Sequence, residues 1–504
     1  MKNVKGCVSN FRLKMNISVS SSRYSKLRSI PDRKKGPLQA GLLAPPANDD
    51  TLNGELPLVD CLQPEDWDKP VANHHYSLGQ IAGSLSLMLD CRGSLRGAAL
   101  ATGLINRLLG GQPEVPSPTS LRNWLLRVGL YQLQRPLQIA NDWVWIIDHT
   151  VQIGDLKCMI IVGFRLGAWQ QQEDRKLRYQ DVELIGLWPV RTSTGEVVEE
   201  QLESAIERTG LPCLIVSDDG PDLHRGLLLF QERHREVTWN YDIKHKTASL
   251  LKRELGGDTQ WTEFCKQANQ MKSQVQQTEL AFSGSPQQRG KARYMNVDKL
   301  VSWGMKVLEW LDEPRPTGHE LDIDRIESKL GWLRDYREPL RRWQQAMQVI
   351  ETAETLIRQE GYHAAIETQL IEELPPVKSG SLADRLSEQL LEFVKDQASH
   401  ASPSERLPGS SEVLESIIGK YKTLQGEKGQ FGVTSMVLAI GAFVGRLTLD
   451  SIRTALQTIK GAALEAWEEN NLGSTIQSQR KQAFQSPNTG IKTGSDQLIL
   501  TRSD

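Results

Sequence analysis

Two apolar runs in this 504-residue chain end in an acid. Residues 143–147 are followed by Asp148, and residues 214–217 are followed by Asp218. Runs of β-branched and aromatic residues without a polar interruption are typical of strands that are buried on both faces. A carboxylate at the end of such a strand must be paired, hydrogen-bonded or bound to a metal. Both positions are therefore candidates for chemistry rather than for packing.

A third acid lies far downstream. The segment Gly409–Lys422 predicts a new helix, for which Ser410 or Ser411 is a suitable cap. Two acids, Glu412 and Glu415, fall in its first turn, and the residue types alone leave both open. The second position is also ambiguous, because Asp219 follows Asp218 directly; we select Asp218 because it ends the strand.

Two aspartates and one glutamate that lie together can hold two Mg²⁺ ions, because hard cations prefer oxygen ligands. A pair of such ions can clamp both the attacking and the leaving oxygen of a phosphodiester. The three acids come from distant parts of the chain, so only the fold can bring them together.

From residue 143 onward, apolar runs alternate with amphipathic stretches. Apolar runs predict strands, and amphipathic stretches predict helices between and after the later strands. Three strands in sequence, then strands interleaved with helices, predict a ribonuclease-H-like α/β domain whose first and fourth strands are neighbours. His149 should point to the opposite face of its strand from Asp148. The predicted strands are 143–148, 156–164, 182–190, 213–217 and 236–241, and the predicted helices are 196–209, 221–232 and one from about 242.

The segment before this domain has helical spacing over residues 77–109 and again after Pro118. Thr119 or Ser120 can cap the later helix, and Gly129 can end it. Such short helices fit a helix-turn-helix module, and a plain helical bundle fits the same residues equally well. The polar face of the last helix carries Arg122, Asn123 and Arg127.

The segment from about 261 to 397 is almost purely helical and contains Trp303, Trp310, Trp332 and Trp343. Core packing is the simplest interpretation of these tryptophans, and stacking on an unpaired base is the functional alternative. After a break at Pro403–Pro408, an apolar helix over 433–447 and an amphipathic helix over 449–468 are predicted. The predicted organisation is a basic, largely disordered segment (1–70), a helical DNA-binding, helix-turn-helix-like domain (71–135), the first part of a ribonuclease-H-like core (136–258), an all-α insertion (259–400), the second part of the core with C-terminal helices (401–484) and a disordered tail (485–504).

The amino-acid composition is that of a soluble globular protein and argues against a membrane protein. Hydrophobic residues make up 39% and charged residues 24% of the chain, which is ordinary for a soluble globular protein. There is no apolar run of about 18 residues, so no membrane span is expected. The six cysteines have no metal-ligand spacing, which indicates a reducing compartment without a zinc site.

Taken in order, these motifs resemble those of bacterial insertion-sequence transposases of the DDE type, which have a ribonuclease-H-like core with a helical insertion. The strand around Asp148 and the turn at Asp218 resemble the sites of the family's first two acids. The segment Tyr241–Lys246 resembles a Cys/Asp-x-x-His element, and the helix of Glu415 resembles the third-acid helix. Lys422 lies seven positions after Glu415, on the same helix face, and this spacing favours Glu415 over Glu412. The arginine and tyrosine that accompany this helix in some relatives are not found just before it here.

The resemblance implies a catalytic triad of Asp148, Asp218 and Glu415 that holds two Mg²⁺ ions, which Mn²⁺ can replace. It implies cleavage at the ends of a mobile element, followed by attack of the freed 3′-hydroxyl on target DNA. Asp242 and His245 would then have a structural or DNA-proximal role. Double-stranded DNA, a homo-oligomer (a dimer or larger) and a cytoplasmic, nucleoid-associated location are expected. The expected DNA-binding residues are Arg122, Asn123, Arg127, Lys244, His245, Lys246, Lys420 and Lys422.

Two other functions fit the same residues. One is a ribonuclease-H-like nuclease that cuts without strand transfer, and the other is a non-catalytic, domesticated DNA-binding protein.

Overall fold

The computed structural model describes residues 66–109, 114–151, 156–287, 293–313, 322–426 and 433–473, with short pieces at 479–480 and 483–484. The predicted tail at 485–504 and most of the predicted N-terminal segment lie outside the described residues. The described chain begins at Asp66, and the Trp67 side chain is buried with its Nε1 donating to Asn106 Oδ1 at 3.0 Å. The described structure therefore includes packed residues before the boundary predicted at 71. No described helix has both the length and the apolar character needed to cross a membrane.

A five-stranded mixed sheet forms the centre of the protein, with strand order β3-β2-β1-β4-β5. The central strand β1 pairs antiparallel with β2 and parallel with β4, and β5 continues the parallel half of the sheet. This order is that of a ribonuclease-H-like sheet, so the predicted α/β fold class is confirmed. Each strand lies within about two residues of its predicted position, apart from the longer end of β1. The strands are β1 Trp143–Val151, β2 Lys157–Arg165, β3 Glu183–Val190, β4 Leu214–Ser217 and β5 Thr238–Tyr241.

The two faces of β1 belong to different cores. Trp145 and Ile147 pack in a core with the helices α5 (Gly195–Thr209) and α6 (Pro221–Arg233). Val144 and Ile146 pack in the larger core, which the remaining helices share. Because side chains alternate along a strand, the next even-numbered residue, Asp148, belongs to the face of the larger core.

Three helices precede the sheet: α1 (Leu78–Leu89), α2 (Leu95–Leu108) and α3 (Pro118–Gln134). The predicted caps of α3 are wrong, because Ser117 is the N-cap and its side chain accepts from Ser120 N, with Pro118 in the first turn. The predicted end at Gly129 is also wrong. A Cβ on Gly129 would lie 1.8 Å from the Leu438 carbonyl oxygen, so this glycine allows close packing of two backbones instead of ending the helix.

The predicted apolar helix at 433–447 is a 3-10 helix, Ser435–Phe443, and all nine of its residues are buried. It packs against α3, and both of its sides face protein, so no polar face selects the helical period of an amphipathic α-helix. The predicted helix at 449–468 is two helices, α15 (Leu449–Thr458) and α16 (Gly461–Asn471). A separate helix, α14 (Glu412–Gln425), precedes this region and packs against β1.

The region after β5 is helical, as the sequence predicts. Trp343 is fully buried, and Trp303, Trp310 and Trp332 pack against the core as partly buried side chains, which favours the packing interpretation of the tryptophans. The helices not yet named are α4 (Leu166–Gln170), α7 (Ile243–Leu255), α8 (Thr259–Val275), α9 (Val297–Asp312), α10 (Ile323–Leu330), α11 (Arg337–Glu360), α12 (Ile366–Glu373) and α13 (Leu382–Ala398).

Candidate active site

The carboxyl ends of β1 and β4 bring Asp148 and Asp218 together. The last residues paired between these parallel strands are Ile147 and Ser217. Asp148 is the next residue of β1, and Asp218 directly follows the end of β4. Neighbouring strands lie about 4.8 Å apart, so the two aspartates start from adjacent positions at one edge of the sheet. Asp148 Oδ1 accepts a hydrogen bond from the backbone N–H of His149 at 2.6 Å.

Asp219 has a different environment from Asp218. Its side chain is 47% exposed and is hydrogen-bonded to the His224 ring. Asp218 is partly buried and acts electrostatically on both Asp148 and His245. These surroundings support the choice of Asp218 as the second acid.

Glu415 reaches the same edge from α14. Its Oε1 lies 3.5 Å from His245 Nδ1, and its Oε2 lies 3.7 Å from Lys244 Nζ. Glu412, one turn earlier, is turned toward the insertion, where its Oε2 lies 2.9 Å from Arg358 Nε. The structure thus gives the two glutamates separate partners, and only Glu415 shares its surroundings with the aspartates.

Asp242 fixes the start of α14 next to the sheet. Its side chain is only 1% exposed and accepts from three donors: His245 N at 2.8 Å, His245 Nδ1 at 3.0 Å and Ser411 N at 2.6 Å. Ser411 occupies the N-cap position of α14, but its side chain makes no capping bond; Ser410 Oγ accepts from Glu412 N at 3.3 Å instead. The buried carboxylate therefore joins the start of α7 to the start of α14, and it sets where Glu415 lies.

The charges of this group shift one another. Burial, followed by the negative charge of Asp218, raises the pKa of Asp148 to about 7, although the His149 N–H and His245 act in the opposite direction. Burial also raises the pKa of Glu415, against the attraction of Lys244 and His245. Burial alone would lower the pKa of His245, but its hydrogen bond to Asp242 and the nearby carboxylates raise it to about 9. His245 is consequently a cation at neutral pH.

The donor set suits a hard divalent cation. Glu415 Oε1 is buried and accepts no hydrogen bond; the His245 cation lies 3.5 Å away, and a metal ion would give this oxygen a direct ligand bond. Ligand atoms of Asp242, His245 and Glu415 also lie within 4.8 Å of one another, but a protonated His245 cannot bind a metal, so Asp242 and His245 support the site and do not ligate the ion. The negative charges of Asp218 and Glu415 raise the pKa of Asp148, and a bound cation would offset that repulsion. Asp148, Asp218 and Glu415 would provide only oxygen ligands, which Mg²⁺ prefers.

His149 lies on the other side of β1, as alternation predicts. Its Nε2 is 3.3 Å from Ser193 Oγ, and its Nδ1 is 3.9 Å from Asp222 Oδ2. Lys157 Nζ contacts the same Asp222 oxygen at 3.3 Å. This network lies on the opposite face of the sheet from Asp148. Sequence spacing does not reveal it, because its four residues come from four separate segments.

The predicted DNA-binding lysines lie in different surroundings. Lys244 and His245 contact Glu415, as described above. Lys246 Nζ lies 4.8 Å from the centre of the Phe393 ring, Lys420 Nζ lies 3.4 Å from the centre of the Tyr179 ring, and Lys422 is exposed on α14. Four of these five residues therefore pack or pair with protein groups, while Lys422 faces solvent.

The structure does not present α3 as a free recognition helix. Arg122 Nη2 donates to Ser435 Oγ at 2.6 Å, and Arg127 Nη1 lies 3.2 Å from His74 Nε2. Asn123 is exposed. A role for these three residues in binding DNA stays a prediction, and the two arginines are already engaged within the protein.

Comparison with known proteins gives likenesses among solved structures alone. No protein-family model matches the chain, and no curated protein matches it. Among solved structures, it is similar to the Drosophila P element transposase strand transfer complex, with a TM-score of 0.37 and 10% sequence identity over 74% of this chain and 92% of that chain. A TM-score of this size does not carry function from one chain to the other.

Proposed function

We propose that the chain is a DNA transposase of the DDE type. Asp148, Asp218 and Glu415 would hold two Mg²⁺ ions for cleavage of element ends and for strand transfer into target DNA. The observation that carries this proposal is the convergence of three acids from β1, β4 and α14 at one edge of a ribonuclease-H-like sheet. These acids lie as many as 267 positions apart in sequence. A purely structural role would not require Asp148 to be buried where the charges of Asp218 and Glu415 raise its pKa.

The bound ions would supply Lewis acidity that activates a water molecule and stabilises the leaving 3′-oxygen. The protein residues have to present the carboxylates in ionised form and in fixed positions. Asp242 would hold His245 and the start of α14 in place. The positive charge of His245 would offset part of the negative charge of the carboxylates, and the oxygens of Asp148 and Asp218 would remain available to bind the ions. Lys244 would lie close enough to Glu415 to contact a phosphate at the same edge.

The partners follow from the chemistry. A transposase must hold double-stranded DNA at two element ends and at a target, and this requirement favours a dimer or a larger assembly. Lys422, exposed seven positions after Glu415, is the best placed of the predicted lysines to meet a DNA phosphate. A location with the nucleoid in the cytoplasm belongs to the same proposal.

The test is Mg²⁺-dependent cleavage of a DNA fragment that carries the ends flanking the gene. Asp148→Asn, Asp218→Asn and Glu415→Gln should each lower the cleavage rate by about a thousandfold, because a catalytic metal ion contributes several kcal/mol. The matched controls Asp219→Asn and Glu412→Gln, one residue and one turn away, should retain most of the rate.

Joined products with a target plasmid would support strand transfer. Cleavage without joining would reduce the function to that of a nuclease. Full activity of the three triad variants would contradict the proposed site.

A further inference from the structure

A cleft lies between the end of α1 and the exposed side of α14, the helix that carries Glu415. Its volume is about 320 Å³. Met88, Leu89 and Phe443 form its apolar floor, and Arg92 and Lys420 lie at its sides. Its size is at the lower end of the range for small-molecule sites, about 300–1,000 Å³.

The charge of this cleft is one-sided. Arg92 and Lys420 line it, and no carboxylate is among its described lining residues. Lys420 is held over the Tyr179 ring, and Tyr179 OH in turn contacts Ser416 Oγ on α14. One cation is thus fixed in place, and the lining as a whole favours an anion.

Arg92 projects from an uncommon backbone conformation. The backbone φ of Arg92 is +54°, a conformation that the next residue, Gly93, could adopt without strain. Residues with side chains seldom adopt this left-handed region. Two backbone hydrogen bonds hold the turn, from Cys91 N to Ser86 O at 3.2 Å and from Gly93 N to Leu87 O at 2.8 Å. The direction in which the arginine leaves α1 is therefore set by the fold.

The wall formed by α14 is open. Ser416, Gly419 and Thr423 line the cleft at a spacing of three and four residues, so they share one helix face. A Cβ on Gly419 would meet no atom within 4 Å, which leaves the helix backbone accessible to a ligand. Glu415 and Lys422 lie on the adjoining face of the same helix.

We propose that this cleft binds one nucleotide of a DNA strand, with its phosphate against Arg92 and Lys420 and its sugar on the apolar floor. The proposal rests on the proposed function and extends it, because it assigns Arg92, Gly419 and Thr423 to the DNA interface and makes the end of α1 part of it. A strand held here runs along α14 past the face that carries Glu415. The apolar floor and the open wall suit a nucleotide within a chain better than a small inorganic anion.

The first test is binding of a random-sequence DNA duplex without divalent metal, so that its outcome does not depend on catalysis. Arg92→Gln should weaken binding about tenfold, which is the scale of one charge-assisted hydrogen bond, and should lower the slope of log K against log salt by about one. Gly419→Leu should weaken binding at least as much, because the new side chain fills the cleft. It should not lower the melting temperature, because leucine favours a helix more than glycine does.

The matched control is Arg96→Gln, an exposed arginine on α2 that does not line the cleft. The inference is wrong if Arg96→Gln weakens binding as much as Arg92→Gln does, because only the general positive charge would then matter. It is also wrong if Gly419→Leu binds DNA as the native chain does. Binding of inorganic phosphate that Arg92→Gln removes, together with DNA binding that is insensitive to Gly419→Leu, would identify a site for a free anion and overturn the DNA assignment.

A second measurement locates the strand directly. In a Cys91→Ser background, Thr423→Cys should form a disulfide with a duplex that carries a thiol tethered to a backbone phosphate, and peptide mapping would identify the linked residue. The exposed position Thr454→Cys on α15 is the control and should not react. Equal cross-linking at both positions would contradict the inference. Cross-linking at Thr423→Cys by a protein that fails to cleave would uphold the cleft and reject the proposed chemistry.

Discussion

Replacing Asp148 with asparagine should stabilise the metal-free protein, although it removes a proposed catalytic group. The folded chain holds the pKa of Asp148 at about 7, against an ordinary value of 3.8, through burial and the charge of Asp218. The folded protein therefore binds this proton more tightly than the unfolded chain does. As the pH rises through this interval, the native fold loses free energy relative to the unfolded chain.

The size of the effect follows from the two pKa values. A gap of about three pH units corresponds to about 4 kcal/mol at pH 8, and about 2 kcal/mol of it is already present at pH 5, at 1.36 kcal/mol per unit. Asparagine carries no charge and makes no such contribution. The free energy of unfolding of Asp148→Asn, relative to the native chain, should therefore increase by about 2–3 kcal/mol between pH 5 and pH 8.

Urea unfolding at the two pH values, without divalent metal, measures this difference. Asp219→Asn, which changes the exposed neighbouring carboxylate, is the matched control. Adding Mg²⁺ should stabilise the native chain and leave Asp148→Asn unchanged, because binding to the folded state alone raises its stability. A difference that is independent of pH, or a variant less stable than the native chain at pH 8, would refute the raised pKa of Asp148.

Three further predictions concern the supports of the site and the core. Asp242→Asn should destabilise the protein by about 3 kcal/mol in urea unfolding, because it leaves the partly buried His245 cation without the ionised carboxylate that accepts its hydrogen bond, and it should weaken Mn²⁺ binding by about 10–100-fold in titration. Glu412→Gln should keep DNA cleavage and Glu415→Gln should lose it, and the reverse result would move the third acid by one turn. Gly129→Ala should cost about 1–3 kcal/mol by overpacking, whereas Gly419→Ala should not destabilise; equal thermal stability of the two variants would contradict the packing described for α3.

The strands could be predicted because their physical signal is local. An uninterrupted apolar run such as 143–147 has few alternatives to a buried strand, and the interleaved order of runs and amphipathic helices restricts the topology. That topology places β1 beside β4, so the meeting of Asp148 and Asp218 at one edge followed from the order of elements. Alternation likewise placed His149 on the opposite side of the sheet.

The supports of the site could not be predicted, because they depend on contacts between distant segments. The hydrogen bond from Ser411 N to Asp242 Oδ2 joins residues 169 positions apart. The local sequence around either residue contains no pattern that predicts this contact. The motif of Asp242 and His245 was visible as a spacing, but its contact with Glu415 appears only in the folded chain. Two candidate glutamates one turn apart also look alike in sequence, and their separate partners distinguish them only in the structure.

The mistakes at α3 and at 435–443 have one cause. Gly129 looks like a helix end, since glycine often follows the last turn. In the structure it lies inside α3, because the 3-10 segment approaches so closely that a Cβ would meet Leu438 O. That close packing buries both elements, and the predicted apolar helix is a 3-10 helix over Ser435–Phe443.

The most direct test of the central claim is the number of Mn²⁺ ions that the protein binds, measured by electron paramagnetic resonance of free Mn²⁺ during a titration. The account predicts two ions for the native chain in the presence of DNA, loss of binding in Asp148→Asn, Asp218→Asn and Glu415→Gln, and unchanged binding in Glu412→Gln. A native chain that binds no Mn²⁺, or triad variants that bind as many ions as the native chain, would show that the three acids do not form a metal site.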